Sequence, residues 1–265
     1  MQQLFCYNRS MYTLRTRFAK DIVCEFLPPT RKTKKQRVII FADGMPSVPS
    51  KKHLLEFFSK KGFWVFHPRY RGTWESDGKF LAKSPHKDIK NVIGGLHSNF
   101  VSLWDYNLGD KKIYKLSPAQ IILIGSSFGG PAALLNSVDP RVDKIIAISP
   151  VIDWTKPGKA EPLDLLAKFT EQAFGNGYRV SSKGWQKIKL GKFYNPVAQS
   201  EEIDGSKALL IHAKDDDVCR YSETKKFASQ TGAKLITLPK GGHLGASLLL
   251  TPRFAKIFTK FINSK

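Results

Sequence analysis

The stretch IILIGSSFGGPAALL, residues 121 to 135, runs from a β-branched apolar segment into a small-residue helical pattern through Gly125-Ser126-Ser127-Phe128-Gly129. That order predicts a buried strand, a tight turn and a helix, with Ser127 at the apex of the turn. Glycines stand two places before and two places after Ser127. This G-x-S-x-G spacing belongs to a turn that lifts a serine hydroxyl above the end of a parallel strand. Such a turn is strained and crowded, so a Cβ at Gly125 or Gly129 would strike the neighbouring strand or helix. Ser126 lacks glycines in that register, which selects Ser127 as the candidate nucleophile. The start of the following helix offers N–H groups to a developing oxyanion.

A serine hydroxyl attacks at neutral pH only with a base beside it and a carboxylate to orient that base. Downstream, KALLIHAKDDDVCRY (207 to 221) reads as a buried strand entering an acidic loop, and AKLITLPKGGHLG (233 to 245) as a second strand followed by a glycine pair. Two histidines follow Ser127. His212 falls within its strand, whereas His243 sits beyond the flexible Gly241-Gly242 and is the expected base. Asp215, Asp216 and Asp217 are consecutive, and the residues alone leave the choice of acid among them open.

At these segments the chain resembles the α/β-hydrolase superfamily, in its prolyl-oligopeptidase-like branch. The run His212-Ala213-Lys214-Asp215-Asp216-Asp217-Val218-Cys219-Arg220 is similar to H-G-x-x-D-x-x-V-P, with Ala213, Cys219 and Arg220 departing from it. The resemblance implies Asp216 as the triad acid, with Asp217 as second choice. It also implies an oxyanion hole from the backbone N–H of Phe128 and of Met45. Met45 belongs to the loop Asp43-Gly44-Met45-Pro46 after RVIIFADG (37 to 44), which is similar to H-G-G-P. Asp43 replaces the histidine there, and a carboxylate beside a developing negative charge is unfavourable unless it points away or is paired. Pro68-Arg69-Tyr70-Arg71-Gly72 resembles P-N-x-R-G, and Ser149-Pro150-Val151-Ile152-Asp153-Trp154 resembles S-P-V-T-D-W.

Short apolar runs alternate with helical stretches from residue 37 onward. Strands are expected near 37–42, 62–67, 119–124, 143–148, 206–212 and 234–239, and helices near 50–61, 86–104, 127–138, 221–231 and 246–262. Alternation of this kind implies a mainly parallel, doubly wound sheet with helices on both faces and ligands beyond the C-terminal strand ends. Together with the resemblance it predicts an α/β fold of α/β-hydrolase type. The expected organisation is one domain over 1–265, with an edge hairpin near 11–28. The strand rhythm stops between 154 and 196, which resembles a lid insertion. Phe169, Phe174, Tyr178, Trp185 and Phe193 are its candidates for pocket wall or lid core. Trp74 and Phe80, near the early loop, face the same choice.

Length allows a substantial core, since the chain has 265 residues. No apolar run reaches the ~20 residues of a membrane-spanning helix, and the first residues lack the pattern of a secretory signal. Three cysteines, Cys6, Cys24 and Cys219, make neither disulfide nor metal spacing. They fit a cytoplasmic protein, with Cys219 as a passive loop residue. No metal cluster, phosphate loop or dinucleotide fingerprint is present, so no cofactor is expected. The formal charge of +21 is spread over clusters such as Arg31-Lys32-Lys34-Lys35-Arg37. It reads as a solvated surface with no specific nucleic-acid partner, although it attracts anions of every kind. The expected activity is hydrolysis of a small ester or amide, with the ester ahead. A peptidase or an acyltransferase would use the same triad. A non-catalytic anion- or nucleic-acid-binding protein on a hydrolase scaffold is the remaining alternative.

Overall fold

The computed structural model describes residues 12–103 and 111–264. Cys6, the first residue of the expected hairpin and the last of the expected helix at 86–104 lie outside them.

The strands are β1 (Leu14–Phe18), β2 (Ile22–Leu27), β3 (Arg37–Ala42), β4 (Phe63–Pro68), β5 (Phe100–Val101), β6 (Ile113–Tyr114), β7 (Gln120–Ser126), β8 (Lys144–Ile148), β9 (Ala208–Ala213) and β10 (Lys234–Leu238). The helices are α1 (Lys52–Lys60), α2 (His86–Gly95), α3 (Gly129–Leu134), α4 (Leu163–Phe174), α5 (Ser182–Lys189), α6 (Tyr221–Thr231) and α7 (Pro252–Ile262). Among the described residues, eight strands form one sheet in the order β1-β2-β4-β3-β7-β8-β9-β10. β1, β2 and β4 pair antiparallel, and every pairing from β4 through β10 is parallel.

Alternate strand residues feed two cores, as the period-two geometry of a sheet buried on both faces requires. Val38, Ile40, Ile121, Leu123, Ile145 and Ala147 face Ile89 and Val92 of α2, Ala132 of α3 and Phe227 of α6. Ile39, Phe41, Ile122, Ile124, Ile146 and Ile148 face Leu55 and Phe58 of α1 and Phe254 and Phe258 of α7. The Phe58 and Phe258 rings meet at 4.9 Å. The chain winds outward from β3 to β4, then returns to β7 on the other side of β3 and continues to β10. Its direction reverses between β3 and β7, where such sheets open a crevice.

Two expected helices are shorter than their patterns. α2 ends at Gly95, where the backbone lies so close to the Phe18 ring of the edge hairpin that only glycine fits. The residues beyond it form the small β5–β6 ribbon instead. The pattern at 246–262 divides into a 3₁₀ turn, Ala246–Leu250, and α7 beginning at Pro252. Proline lacks an N–H and suits only the first turn of a helix, which sets that boundary. Residues 154–196 form an insertion between β8 and β9 that carries α4 and α5.

Candidate active site

Ser127 follows β7 with φ +51, in the left-handed region. Its N–H donates to Ile148 O at 3.0 Å, and its carbonyl accepts from the N–H groups of Gly130 (3.0 Å) and Val151 (3.1 Å). These bonds lock the apex of the turn to the end of β8. A Cβ on Gly125 would overlap the Gly129 carbonyl, and one on Gly129 would overlap the carbonyls of Ala42 and Asp43. Both positions therefore require glycine, for close approach of backbone to backbone.

Asp216 and His243 are brought together from the loops after β9 and β10. The Asp216 carboxylate is buried, and His243 Nδ1 stands 3.0 Å from its Oδ2 and 3.2 Å from its Oδ1. The N–H groups of Val218 (3.0 Å) and Cys219 (2.9 Å) donate to Oδ1. Burial opposes the Asp216 charge, but hydrogen bonds from His212 and His243 outweigh it and hold the carboxyl well below the usual carboxylate range. With Nδ1–H given to this carboxylate, Nε2 of His243 is the free basic nitrogen. The Ser149 hydroxyl accepts from Leu244 N–H at 3.1 Å and ties the His243 loop to the end of β8. Among the described residues, no hydrogen bond joins Ser127 to His243.

The other two aspartates have separate duties. Asp215 accepts from the N–H groups of Gly241 (3.3 Å) and Gly242 (2.9 Å) and so shapes the approach to His243. Asp217 uses its backbone carbonyl, which accepts from Ala160 N–H at 3.0 Å. Sequence reasoning left out His212, a fully buried residue whose Nε2 lies 3.1 Å from both Asp216 Oδ2 and the Cys219 carbonyl. Two acceptors at Nε2 require the proton there, so Nδ1 accepts from the Thr224 hydroxyl at 2.8 Å. Its signal in the sequence was a histidine in an apolar strand, four places before the acid. The Cys219 thiol lies beside Ser127, and burial, followed by the Asp216 charge, pushes its pKa well up. It stays protonated and inert.

Among the described residues, the backbone N–H groups of Phe128 and Met45 have no protein acceptor. The Met45 loop lies against the elbow: a Cβ on Gly44 would sit 3.5 Å from Ser127 Cβ. Asp43 in that loop is paired on both oxygens. Its Oδ1 meets Gly44 N–H (2.9 Å) and Lys51 Nζ (3.1 Å). Its Oδ2 meets the Ser47 hydroxyl (3.0 Å) and Nε2 of the buried His67 (3.2 Å). Burial opposes its charge, yet His67 and Lys51 hold its carboxyl well below the usual range. Arg69 donates to His67 Nδ1 at 2.8 Å and pairs with Glu25 at 3.0 Å. The loop is fastened further by Tyr70, whose hydroxyl donates to the Asp43 carbonyl (3.1 Å), and by Tyr178, whose hydroxyl accepts from Ser47 N–H (2.9 Å). Trp74 Nε1 donates to the Ser47 carbonyl at 3.2 Å.

The candidate pocket aromatics divide. Phe80 is core, with its ring 5.5 Å from that of Phe128, and Tyr178 is buried against it. Phe174, Trp185 and Phe193 pack on the core from the insertion, while Phe169 is exposed. Tyr178 and Trp185 border a cleft of about 990 Å³ against α4 and α5 that includes none of Ser127, Asp216 and His243.

The pattern of the prolyl oligopeptidase family matches residues 49–264. Comparison with curated proteins finds no match. Among solved structures, the chain is similar to the esterase Pf2001 of Pyrococcus furiosus, with 17% identity and a TM-score of 0.66 over 94% of this chain and 89% of that one. It is similar to Est1E of Butyrivibrio proteoclasticus, solved with ferulic acid bound, with 17% identity and a TM-score of 0.63 over 95% of this chain and 100% of that one. The acylaminoacyl peptidase of Pyrococcus horikoshii shares 18% identity and a TM-score of 0.60, over 96% of this chain but 42% of the peptidase. These likenesses establish the α/β-hydrolase fold.

Proposed function

The chain belongs to the prolyl oligopeptidase family of serine hydrolases, and from that premise we propose that it cleaves a carboxylic ester through an acyl-enzyme on Ser127, His243 and Asp216. The observation that carries this reading is the pair of close contacts from Asp216 to His243 Nδ1, on the loops that face the strained serine turn. Ser127 Oγ attacks the ester carbonyl while His243 Nε2 takes its proton, then delivers it to the departing alkoxide. Water repeats the sequence on the acyl-enzyme and frees the acid. Asp216 fixes the tautomer of His243 and offsets its charge when protonated. The free N–H groups of Phe128 and Met45 take up the oxyanion, a contribution of ~3 kcal/mol per donor in other enzymes.

Ester is placed ahead of peptide because the similar esterases are matched over 89% and 100% of their length, against 42% for the peptidase. In this reading one catalytic unit runs through the chain, and residues 154–196 act as a lid over the acyl pocket. The two described cysteines, Cys24 and Cys219, are free and buried, which fits a cytoplasmic location.

Labelling by a fluorescent fluorophosphonate tests the reading on the native protein beside Ser127→Ala. The native protein should label and Ser127→Ala should not. Equal labelling of both, or labelling of neither, would sink the assignment.

A further inference from the structure

Next to the acid turn lies a carboxylate that the triad does not use. The first residues of the insertion are clamped onto the turn that carries Asp216. Gly158 N–H donates to Val218 O and Ala160 N–H to Asp217 O, each at 3.0 Å, and Arg220 Nε donates to Pro157 O at 2.7 Å. A Cβ on Gly158 would overlap the carbonyls of Asp217 and Val218, so the close pairing depends on glycine at that position. Lys156 adds an ion pair to Glu223 at 3.0 Å. The segment is therefore held firmly, and it ends at Glu161.

Glu161 is half-buried and lines a small cavity with Cys219, Trp154 and Leu166, in a wall that also holds Lys156 and Arg220 beside the carboxylates of Asp153 and Glu223. Cys219 touches Ser127, and the Glu161 carboxylate lies within the electrostatic reach of His243 and Asp216. Among the described residues, no lysine, arginine or histidine forms an ion pair or hydrogen bond with it. The chain carries 43 basic side chains against 22 acidic ones, and other carboxylates sheltered from water have found partners, as Glu25, Asp43, Asp88 and Asp139 have. An uncompensated carboxylate in a partly apolar pocket is costly to fold around. Burial raises its pKa, and His243 offsets that only in part.

We propose that Glu161 is the anionic wall of a subsite for a protonated amine carried by the ester substrate. This rests on the hydrolase reading above and names the substrate class within it. The cavity has room for about 30 Å³, enough for a group of water or ammonium size but not for a ring. Trp154 stands in its wall, and an indole is a favourable neighbour for a cation. Lys156 is engaged by Glu223 and Asp153, and Arg220 Nε by the Pro157 carbonyl, so an amine on the substrate would supply the direct ion pair that Glu161 lacks.

The test compares isosteric p-nitrophenyl esters: 3-aminopropanoate against butanoate, and 6-aminohexanoate against heptanoate. Each pair exchanges an ammonium for a methyl, and dividing kcat/KM within a pair cancels any effect of Glu161 on the shared triad. Glu161→Gln should lower the amine-to-alkyl ratio about tenfold for at least one pair, the scale of one charge-assisted contact. Fluorophosphonate labelling certifies that the variant is folded. If it fails to label, Glu161→Asp, which keeps the charge with a shorter reach, should lower the ratio by a smaller factor. A ratio within twofold of native in a labelled variant overturns the amine subsite and leaves the hydrolase standing. Absence of both hydrolysis and labelling in the native protein overturns both.

Discussion

At Ser127 the backbone occupies φ +51, a conformation that costs a residue with a side chain about 1–3 kcal/mol. The surroundings hold it there by excluding volume: Gly125 and Gly129 admit the Gly129 and Ala42 carbonyls where any Cβ would stand. Gly125→Ala or Gly129→Ala should therefore destabilise the protein by about 3 kcal/mol or more, because backbone has to move. Gly245, two residues past His243, has open space around its Cβ position and an ordinary φ of −118. Gly245→Ala should stay within about 0.5 kcal/mol of native. Urea midpoints of the three variants decide it, and a mild effect at Gly125 or Gly129 would remove the packing argument. At this scale the sequence was readable where a rule is local. Two glycines and a serine at fixed spacing need only one another. The fate of Asp43 was not readable, because its partners Lys51 and His67 come from the residue before α1 and from β4, and its charge is settled only in three dimensions.

The element that most depends on such distant partners is the loop carrying Met45. Within Asp43-Gly44-Met45-Pro46 a single bond, from Gly44 N–H to Asp43 Oδ1, holds the loop, and the rest of its fastening comes from β4, from the segment after β4 and from the insertion. Tyr178 reaches across from the insertion, and its hydroxyl accepts from Ser47 N–H at 2.9 Å. Tyr178→Phe should cost about 1 kcal/mol of loop order, seen as roughly a fivefold fall in kcat on a neutral ester with an unchanged far-UV spectrum. An unchanged kcat would separate the insertion from the Met45 loop. Strands and helices themselves were legible wherever a short apolar run has clear ends, as in β3, which is buried on both faces and spans the expected 37–42. α2 was overextended because its apolar spacing continues past Gly95. The close approach of Phe18, which requires glycine at 95, comes from a hairpin far away in the chain. Turn chemistry at Pro252 was visible, but an unbroken apolar pattern on both sides masked it.

Over the whole molecule, charge governs how the assembled sheet responds to pH. The net charge is already +21 at neutral pH, and each carboxylate neutralised in acid leaves the chain more positive and more self-repelling. Two groups add specific windows to this general trend. Burial, helped by Lys87 and Lys90, lowers the pKa of His86 from 6.5 to about 4. The unfolded chain thus binds a proton below 6.5 that the folded one refuses, so stability declines as pH falls from 6.5 to about 4. Burial opposes the charge on Glu25, but the His67 hydrogen bond and the Arg69 guanidinium prevail and lower its pKa from 4.5 to about 2. Its contribution is present above 4.5 and is lost as pH falls toward 2. The windows adjoin, so the urea midpoint should decline without a plateau from near-neutral pH into strong acid. His86→Asn should flatten the upper part of that curve and leave the lower slope, and Glu25→Gln should do the reverse. Each variant also removes a buried partner, so the slopes, not the midpoints, carry the comparison. A native curve that is flat between pH 6.5 and 4 would mean that His86 gains its proton without strain. Raising salt should lift the whole curve by screening the positive field, while leaving the two inflections where they are.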